Sequence, residues 1–279
     1  MAGVRIVTDS SSDLAPSEAD ELGIEIVPLS IRFGDKEFVD RSELSATDFY
    51  ATMATSPELP ETAAPAPGAF DAVFRRLLDD GADAIVCINL SESLSATIQS
   101  ARTAAAAIDG ADIRTIDSRS ITAGLGTQVL RAARAARDGA SADDVVSLVE
   151  AMVPRTHVIG VLDTLDNLKK GGRIGGAQAL LGSMLSVKPA IDISSGEVEE
   201  AGKPRTRKKA MQWLADQVLA HERVEDLAIM HGDAPDIDAF LDLLAPRYDR
   251  SDIRVGLIGA VIGAHGGPRV IGACFLTGD

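Results

Sequence analysis

The first half of the chain alternates short apolar runs with helical patterns, and this alternation restricts the folds that it can adopt. Apolar runs typical of buried strands occupy residues 4–7, 84–90 and 113–116, and helical patterns over residues 94–108 and 121–137 follow two of them. Strands that alternate with helices predict a parallel sheet with helices on both faces. We therefore expect an N-terminal α/β lobe built on a parallel sheet.

The second half is less regular. Strands are predicted at residues 158–162, 227–230, 254–258 and 270–276, and a hairpin is predicted across Ser195 and Gly196. Hairpins mixed with helices are typical of an α+β lobe. We place the two lobes at residues 1–155 and 156–279, and any exchange of chain between them around residues 56–80.

Several local expectations accompany this division. Residues 24–33 are predicted to form one strand, followed by a hairpin turn at Gly34 and Asp35. Ser45 is expected to cap a short helix. Four prolines within residues 56–68 predict an irregular surface segment.

Composition limits the partners and the compartment. The 279 residues include 42 acids and 27 bases, a net charge of −15, which argues against a general nucleic-acid binder. The cysteines Cys87 and Cys274 lie in apolar runs, so neither a disulfide framework nor a zinc site is indicated. No apolar run reaches the roughly 18 residues of a membrane span, and the first residues lack a signal-peptide core. We expect a cytoplasmic protein that holds no metal.

Four polar segments follow apolar runs or interrupt them. Ser95 lies beyond the strand at 84–90, where a helix start can bind an anion or the serine can simply cap the helix. Arg173 lies in a glycine-rich stretch that suits a carboxylate or phosphate, or a solvated loop. His265 lies among glycines and is either a functional donor or a structural histidine. Thr62 alone is a weak signal that a loop threonine also explains.

Two further features have competing interpretations. Asp9, directly after the first strand, could act as a nucleophile, although aspartate at such a position more often caps a turn. A dense basic cluster could dock an acidic partner or an anionic membrane surface, or form a solvated start of a helix. Its members are Lys203, Arg205, Arg207, Lys208 and Lys209.

Together, these segments and several others resemble the DegV family of bacterial lipid-binding proteins, nearly from end to end. The matching motifs are Val7-Thr8-Asp9-Ser10, Leu94-Ser95-Ala96-Thr97, Asp117-Ser118-Arg119, Gly124-Leu125-Gly126, Leu162-Asp163-Thr164-Leu165, Gly171-Gly172-Arg173-Ile174, Lys188-Pro189, Gly202-Lys203-Pro204-Arg205-Thr206 and Gly263-Ala264-His265-Gly266-Gly267-Pro268. No single motif is diagnostic, but the ordered set is specific. This sequence has Ala96 where the family often has glycine, and Ala63-Ala64-Pro65 where it often has Ser-Gln-Pro.

The resemblance implies a long-chain fatty acid held between two lobes, with no cofactor and no catalysis by this chain. It implies the substrate-binding subunit of bacterial fatty acid kinase, whose separate ATP-binding subunit phosphorylates the carboxylate. The product is an acyl phosphate that feeds phospholipid synthesis. By the same resemblance, the carboxylate ligands are Thr62, Ser95, Arg173 and His265.

Two other functions stay open from the sequence. A phosphotransfer enzyme would act directly through Asp9 or His265, although the chain has no Walker A motif. An adaptor would use the basic cluster to dock a partner or a membrane, which is compatible with lipid binding. The sequence does not specify the preferred acyl chain or the oligomeric state.

Overall fold

The computed structural model describes residues 3–183 and 187–278, with side chains for all of these except 181–183. Its strands are β1 (Val4–Asp9), β2 (Glu25–Val27), β3 (Ser30–Phe33), β4 (Lys36–Val39), β5 (Glu61–Ala63), β6 (Ala84–Asn89), β7 (Ile113–Asp117), β8 (Thr156–Val161), β9 (Ala190–Asp192), β10 (Glu199–Gly202), β11 (Val224–His231), β12 (Arg254–Leu257) and β13 (Ile271–Thr277). Its α-helices are α1 (Pro16–Leu22), α2 (Ala46–Thr55), α3 (Pro67–Asp79), α4 (Thr97–Ala106), α5 (Thr122–Arg137), α6 (Ala142–Met152), α7 (Asp166–Lys170), α8 (Arg207–Leu219), α9 (Ile237–Leu244) and α10 (Ala260–Gly266). Shorter 3-10 segments are Ser10–Ser12, Val153–Arg155, Gly175–Ser183 and Arg250–Asp252.

The N-terminal region is built on a parallel sheet in the order β2-β1-β6-β7. Helices α3 and α4 cover one face, where Phe70, Phe74 and Leu77 pack on Val7 and Cys87. Helix α5 covers the other face. The predicted parallel sheet with helices on both faces is confirmed.

The C-terminal region contains a mixed sheet in the order β10-β9-β8-β13-β11-β12. Only β11 and β12 pair in parallel, and the other neighbours are antiparallel. The predicted hairpin is present as β9 and β10. Helices α8 and α9 pack on one face through residues such as Leu214 and Phe240. The mixed α/β fold class predicted from the sequence is confirmed.

Helix α5 lies between the two sheets and belongs to a core cluster with residues from both. Two glycines permit this close packing. A Cβ on Gly124 would lie 2.5 Å from Cγ2 of Val158 on β8, and one on Gly126 would lie 2.6 Å from the backbone oxygen of Ser12. Any side chain at either position would push the helix away from its neighbours.

A third, antiparallel sheet in the order β4-β3-β5 joins the N-terminal segment to the C-terminal region. Together with α2 it packs on α10, where Ile31, Phe49 and Tyr50 meet Val261 and Ala264. The N-terminal residues that contact α10 in this way lie within residues 29–63. Helix α3, which follows them, packs instead on α4 in the N-terminal region. The lobe boundary at 155/156 and the exchange around 56–80 stay predictions.

Two local predictions were wrong. Residues 24–33 form two strands in different sheets because Pro28, which has no N–H to donate, separates β2 from β3. Residues 56–68 are not irregular throughout, since β5 pairs with β3 there. The histidine among glycines, for which no secondary structure was predicted, lies in the helix α10. Residues 177–185 also have a helical pattern in the sequence; the structure has a 3-10 segment there up to Ser183, and residues 184 and 185 lie outside the described residues.

We expect Gly126→Ala to lower the free energy of unfolding by about 1–3 kcal/mol, since the added methyl would overlap a backbone oxygen that cannot turn aside. Urea denaturation measures this loss. The matched control is Gly68→Ala in α3, where no atom lies within 4 Å of the added carbon. If both variants unfold at the same urea concentration, the close packing of α5 is not what holds the two sheets together.

Candidate functional site

A cavity of about 260 Å³ lies between the C-terminal sheet, α10 and the segment that follows β6. Strands β8, β9, β11 and β13 supply much of its wall, through apolar side chains such as Val158, Ile191 and Met230. The polar lining side chains, apart from the thiol of Cys274, are Thr62, Ser95, Thr122, Arg173 and His265. All four residues that the resemblance implied as carboxylate ligands therefore line one apolar cavity.

Thr62 and His265 meet across the boundary between the small sheet and α10. Oγ1 of Thr62, on β5, lies 2.9 Å from Nε2 of His265, in the last turn of α10. His265 Nδ1 is buried and has no hydrogen-bond partner among the described residues. A proton on Nε2 rather than Nδ1 avoids a buried, unpaired N–H, so Nε2 donates to Thr62. The Thr62 hydroxyl can then donate its own proton into the cavity.

The imidazole of His265 is held neutral. Burial is the main cause that lowers its pKa from 6.5 to about 4, and the nearby positive charge of Arg173 is the smaller second cause. Gly171 explains how the ring is enclosed, since a Cβ at that position would lie 2.3 Å from Nδ1. The buried amide of Asn167 donates to the backbone oxygen of Ala264 at 3.0 Å and holds α10 in place.

Arg173 lies in the glycine-rich loop after α7, with its side chain largely exposed at the cavity mouth. Its Nε donates to the backbone oxygen of Leu94 at 3.1 Å, and its Nη1 donates to that of Gly171 at 2.7 Å. These bonds tie the loop to the residue that precedes Ser95. Gly172, with φ of +69°, allows the turn that places Arg173 here.

Ser95 precedes α4 by two residues. Its Oγ lies 2.8 Å from Oγ1 of Thr97 and 3.3 Å from the Thr97 backbone nitrogen, which donates to it. Ser95 thus helps to cap the helix and lines the cavity as well, so the two interpretations of this serine are both compatible with the structure. The side chain of Ala96, where the family often has glycine, is exposed and also lines the cavity.

A family model described as "Uncharacterised protein, DegV family" matches residues 3–278. The chain belongs to the DegV family. A DegV domain-containing protein of Deinococcus radiodurans is 36% identical over 281 residues and one of Streptomyces coelicolor is 37% identical over 275, with 96% of each chain covered in both comparisons. The family predicted from the ordered motifs is confirmed.

Solved structures of DegV proteins share the fold along the whole chain. A Thermus thermophilus DegV family protein, described by its fatty acid binding, is 32% identical with a TM-score of 0.91, and 99% of both chains is covered. Bacillus subtilis DegV, described as a fatty acid binding protein, is 28% identical with a TM-score of 0.87 and the same coverage. A stearic acid-binding protein of Eubacterium ventriosum is 25% identical with a TM-score of 0.87 and 98% coverage.

Asp9 is fully buried and does not line the cavity. Its Oδ1 accepts from the nitrogen and the hydroxyl of Ser11, and its Oδ2 accepts from Asn89 Nδ2 at 3.0 Å and the Leu90 nitrogen at 2.9 Å. Burial raises its pKa in spite of these bonds. Asp9 therefore organises the ends of β1 and β6, as the capping interpretation predicted, and is not placed to attack a substrate.

The basic cluster does not act as one surface. Arg207 is only 14% exposed and makes paired hydrogen bonds of 2.9 and 2.8 Å to Asp236. Lys203, Arg205, Lys208 and Lys209 are exposed, and Lys203 pairs with Glu200 at 2.9 Å. Arg207 thus differs from the other members of the predicted docking set, whose docking role stays a prediction.

Sequence reasoning did not find Thr122, Asn167 or Gly171. The hydroxyl of Thr122 donates to Oδ2 of Asp13 at 2.6 Å, so this cavity residue is already engaged. No sequence pattern marks these residues singly, although Gly171 belongs to the motif that contains Arg173. Among residues 3–183 and 187–278, no cluster of three metal-ligating side chains is present and no helix is long and apolar enough to cross a membrane.

We expect the His265 imidazole to stay neutral in the ligand-free protein until the pH approaches 4, as followed by NMR and assigned with His265→Asn. Because its folded pKa is below the ordinary 6.5, its contribution to stability is lost as the pH falls from about 6.5 to about 4. Arg173→Met removes the second cause and should raise the pKa. A midpoint near 6.5 in the unaltered protein would show that His265 is solvated.

Proposed function

We propose that this chain binds a long-chain fatty acid in the cavity, with the carboxylate at Thr62, Ser95, Arg173 and His265. The observation that supports this most strongly is the distribution of polarity, since the walls are mainly apolar, all four of these side chains line the cavity, and Thr62 and His265 are in contact. A ligand with a long apolar chain and a single anionic end has the matching distribution. Fatty acid binding is also the property for which related DegV structures are described.

The apolar walls account for affinity. Palmitate has about 14 methylenes, and each contributes roughly 0.8 kcal/mol when it leaves water, so the gross gain is on the order of 11 kcal/mol. Part of this gain is lost to ordering the chain and to association. The cavity can therefore bind tightly without a strong contribution from the head group.

The mouth accounts for orientation. A carboxylate that enters an apolar cavity must accept hydrogen bonds to offset the loss of water. The hydroxyls of Thr62 and Ser95 are suitable donors, and the Arg173 guanidinium supplies positive charge. The neutral His265 supports the Thr62 hydroxyl through their 2.9 Å hydrogen bond. This arrangement fixes the acid end at the entrance.

We further infer that the chain presents the carboxylate to a separate ATP-binding kinase subunit in the cytoplasm and performs no catalysis itself. Arg173 supports this inference because it is exposed at the mouth, where an incoming phosphoryl group would arrive. The product would be an acyl phosphate for phospholipid synthesis. Enclosure would slow its hydrolysis by limiting the access of water.

The exposed residues Lys203, Arg205, Lys208 and Lys209 are the part of the basic cluster that could contact the kinase subunit or, transiently, an anionic membrane surface. Direct phosphotransfer through Asp9 has no support in the structure, because both of its carboxylate oxygens are occupied. Phosphotransfer through His265 would need an exposed ring, and this ring is enclosed by Gly171 and Thr62.

We expect Arg173→Ala to change palmitate affinity by less than about tenfold and to lower acyl-phosphate formation by at least about a hundredfold. The apolar chain dominates binding, whereas the guanidinium stabilises charge that develops during phosphoryl transfer. Isothermal titration measures the first quantity. The second is measured with ATP and the ATP-binding subunit of a bacterial fatty acid kinase.

The matched control is Arg137→Ala, which removes an exposed arginine at the C-terminal end of α5, whereas the cavity residue Thr122 lies at the start of that helix. It should leave both quantities unchanged. Failure of the unaltered chain to bind palmitate would contradict the proposed function. Equal losses of binding and product formation in Arg173→Ala would contradict only the separate role of Arg173.

A further inference from the structure

Two glycines face each other on adjacent strands in the wall of the cavity. Gly160 on β8 pairs with Gly272 on β13, so both lack a side chain at the same level of the sheet. Ile191 on β9 pairs with Gly160, and Met230 on β11 pairs with Gly272. Cross-strand partners point to the same face of a sheet. The row therefore has a larger side chain at each side and bare backbone in the middle, which we call the glycine notch (Gly160 and Gly272).

The fold itself does not require glycine at either position. A Cβ on Gly160 or Gly272 would come no closer than 3.6 Å to any other atom, which is ordinary contact, and neither residue has a positive φ. By contrast, a Cβ on Gly124 or Gly126 would overlap its neighbours. Glycine inside a strand is less stable than alanine, and it often marks close approach of a ligand to the backbone.

The glycine notch lies part-way along the cavity. Residues that alternate along a strand share a face, so the neighbouring levels are found two residues away. Leu162 and Val270 line the cavity on one side of the glycine notch, where Val270 is close to Gly266 of α10 and Leu162 leads into α7, which packs on α10. Val158 and Cys274, which pair with each other, line it on the opposite side of the glycine notch. An acyl chain that runs along this face of the sheet from His265 to Val158 therefore passes over the glycine notch.

We propose that the glycine notch sets how long an acyl chain this cavity accepts. The acyl chain lies against the backbone of β8 and β13 at Gly160 and Gly272, in the space that two side chains would otherwise fill. The deep end at Val158 and Cys274 then receives the terminal methylenes, which makes the site selective for long acyl chains over short ones. This inference rests on the proposed fatty acid binding and concerns a determinant of specificity within it.

The test is the affinity of the full chain for a series of saturated fatty acids from hexanoate to stearate, measured by isothermal titration. In the unaltered protein, affinity should rise about fourfold for each added methylene until the cavity is filled, and then level off. In Gly160→Ala and Gly272→Ala the rise should stop at a shorter acid. Palmitate should bind at least about tenfold more weakly, with hexanoate changed by less than about twofold.

Three controls separate blockage from misfolding. The ligand-free Gly160→Ala and Gly272→Ala variants should unfold thermally at or above the temperature of the unaltered protein, because alanine is favoured over glycine in a strand. Val158→Ala, which enlarges the deep end, should move the plateau to a longer acid. Gly68→Ala, on an open face of α3, should change nothing.

The proposal is overturned if both glycine variants level off at the same acid as the unaltered protein, or if they weaken hexanoate and stearate by the same factor. It is also overturned if Val158→Ala leaves the plateau in place. If the unaltered protein binds no acid of the series, the proposed function itself fails. If the unaltered protein binds the acids and the plateau is not shifted in the variants, only the proposed role of the glycine notch is contradicted.

Discussion

A carboxylate at the end of a long apolar chain leaves water at a high cost unless it keeps its hydrogen bonds, and the proposed function depends on this constraint. The C-terminal sheet contributes apolar walls, so the transfer of an acyl chain from water into the cavity has a favourable free energy. The charged end cannot follow and needs donors at the mouth. The side chains proposed for this role come from four separate parts of the chain and all line the cavity; they are Thr62, Ser95, Arg173 and His265.

The fold brings these parts together through two packed interfaces. Helix α5 fits between the parallel sheet and the C-terminal sheet because Gly124 and Gly126 carry no side chain. The small sheet and α2 pack on α10, which places Thr62 against His265. Asp9, for which the sequence also allowed a chemical role, is fully occupied in joining β1 to β6. The role of this buried carboxylate is structural.

The sequence predicted the regular parts of the fold well because they follow from local patterns. Strands β1 and β6 are apolar runs, and α5 begins and ends within one residue of its predicted bounds. Strand β5 and helix α10 were missed because both are short and are stabilised by packing on each other's elements rather than by local propensity. Residues 24–33 were predicted as one strand, although Pro28 has no N–H to donate and follows the end of β2.

The family resemblance implied the four proposed ligands as one set, whereas Thr62, Ser95 and His265 taken singly fit an ordinary loop, cap or core as well. The structure adds that all four line one cavity, which no single motif shows. The glycine notch was not predicted at all. Gly160 and Gly272 lie in strands far apart along the chain, and their pairing depends on a register that the sequence pattern does not specify.

The most direct measurement is mass spectrometry of the protein purified from bacteria, first intact under native conditions and then after denaturing solvent extraction. The account predicts one long-chain fatty acid per chain, lost on denaturation and recovered as the free acid. Protein that is folded by circular dichroism, carries no bound lipid and takes up none when fatty acid is added would contradict it.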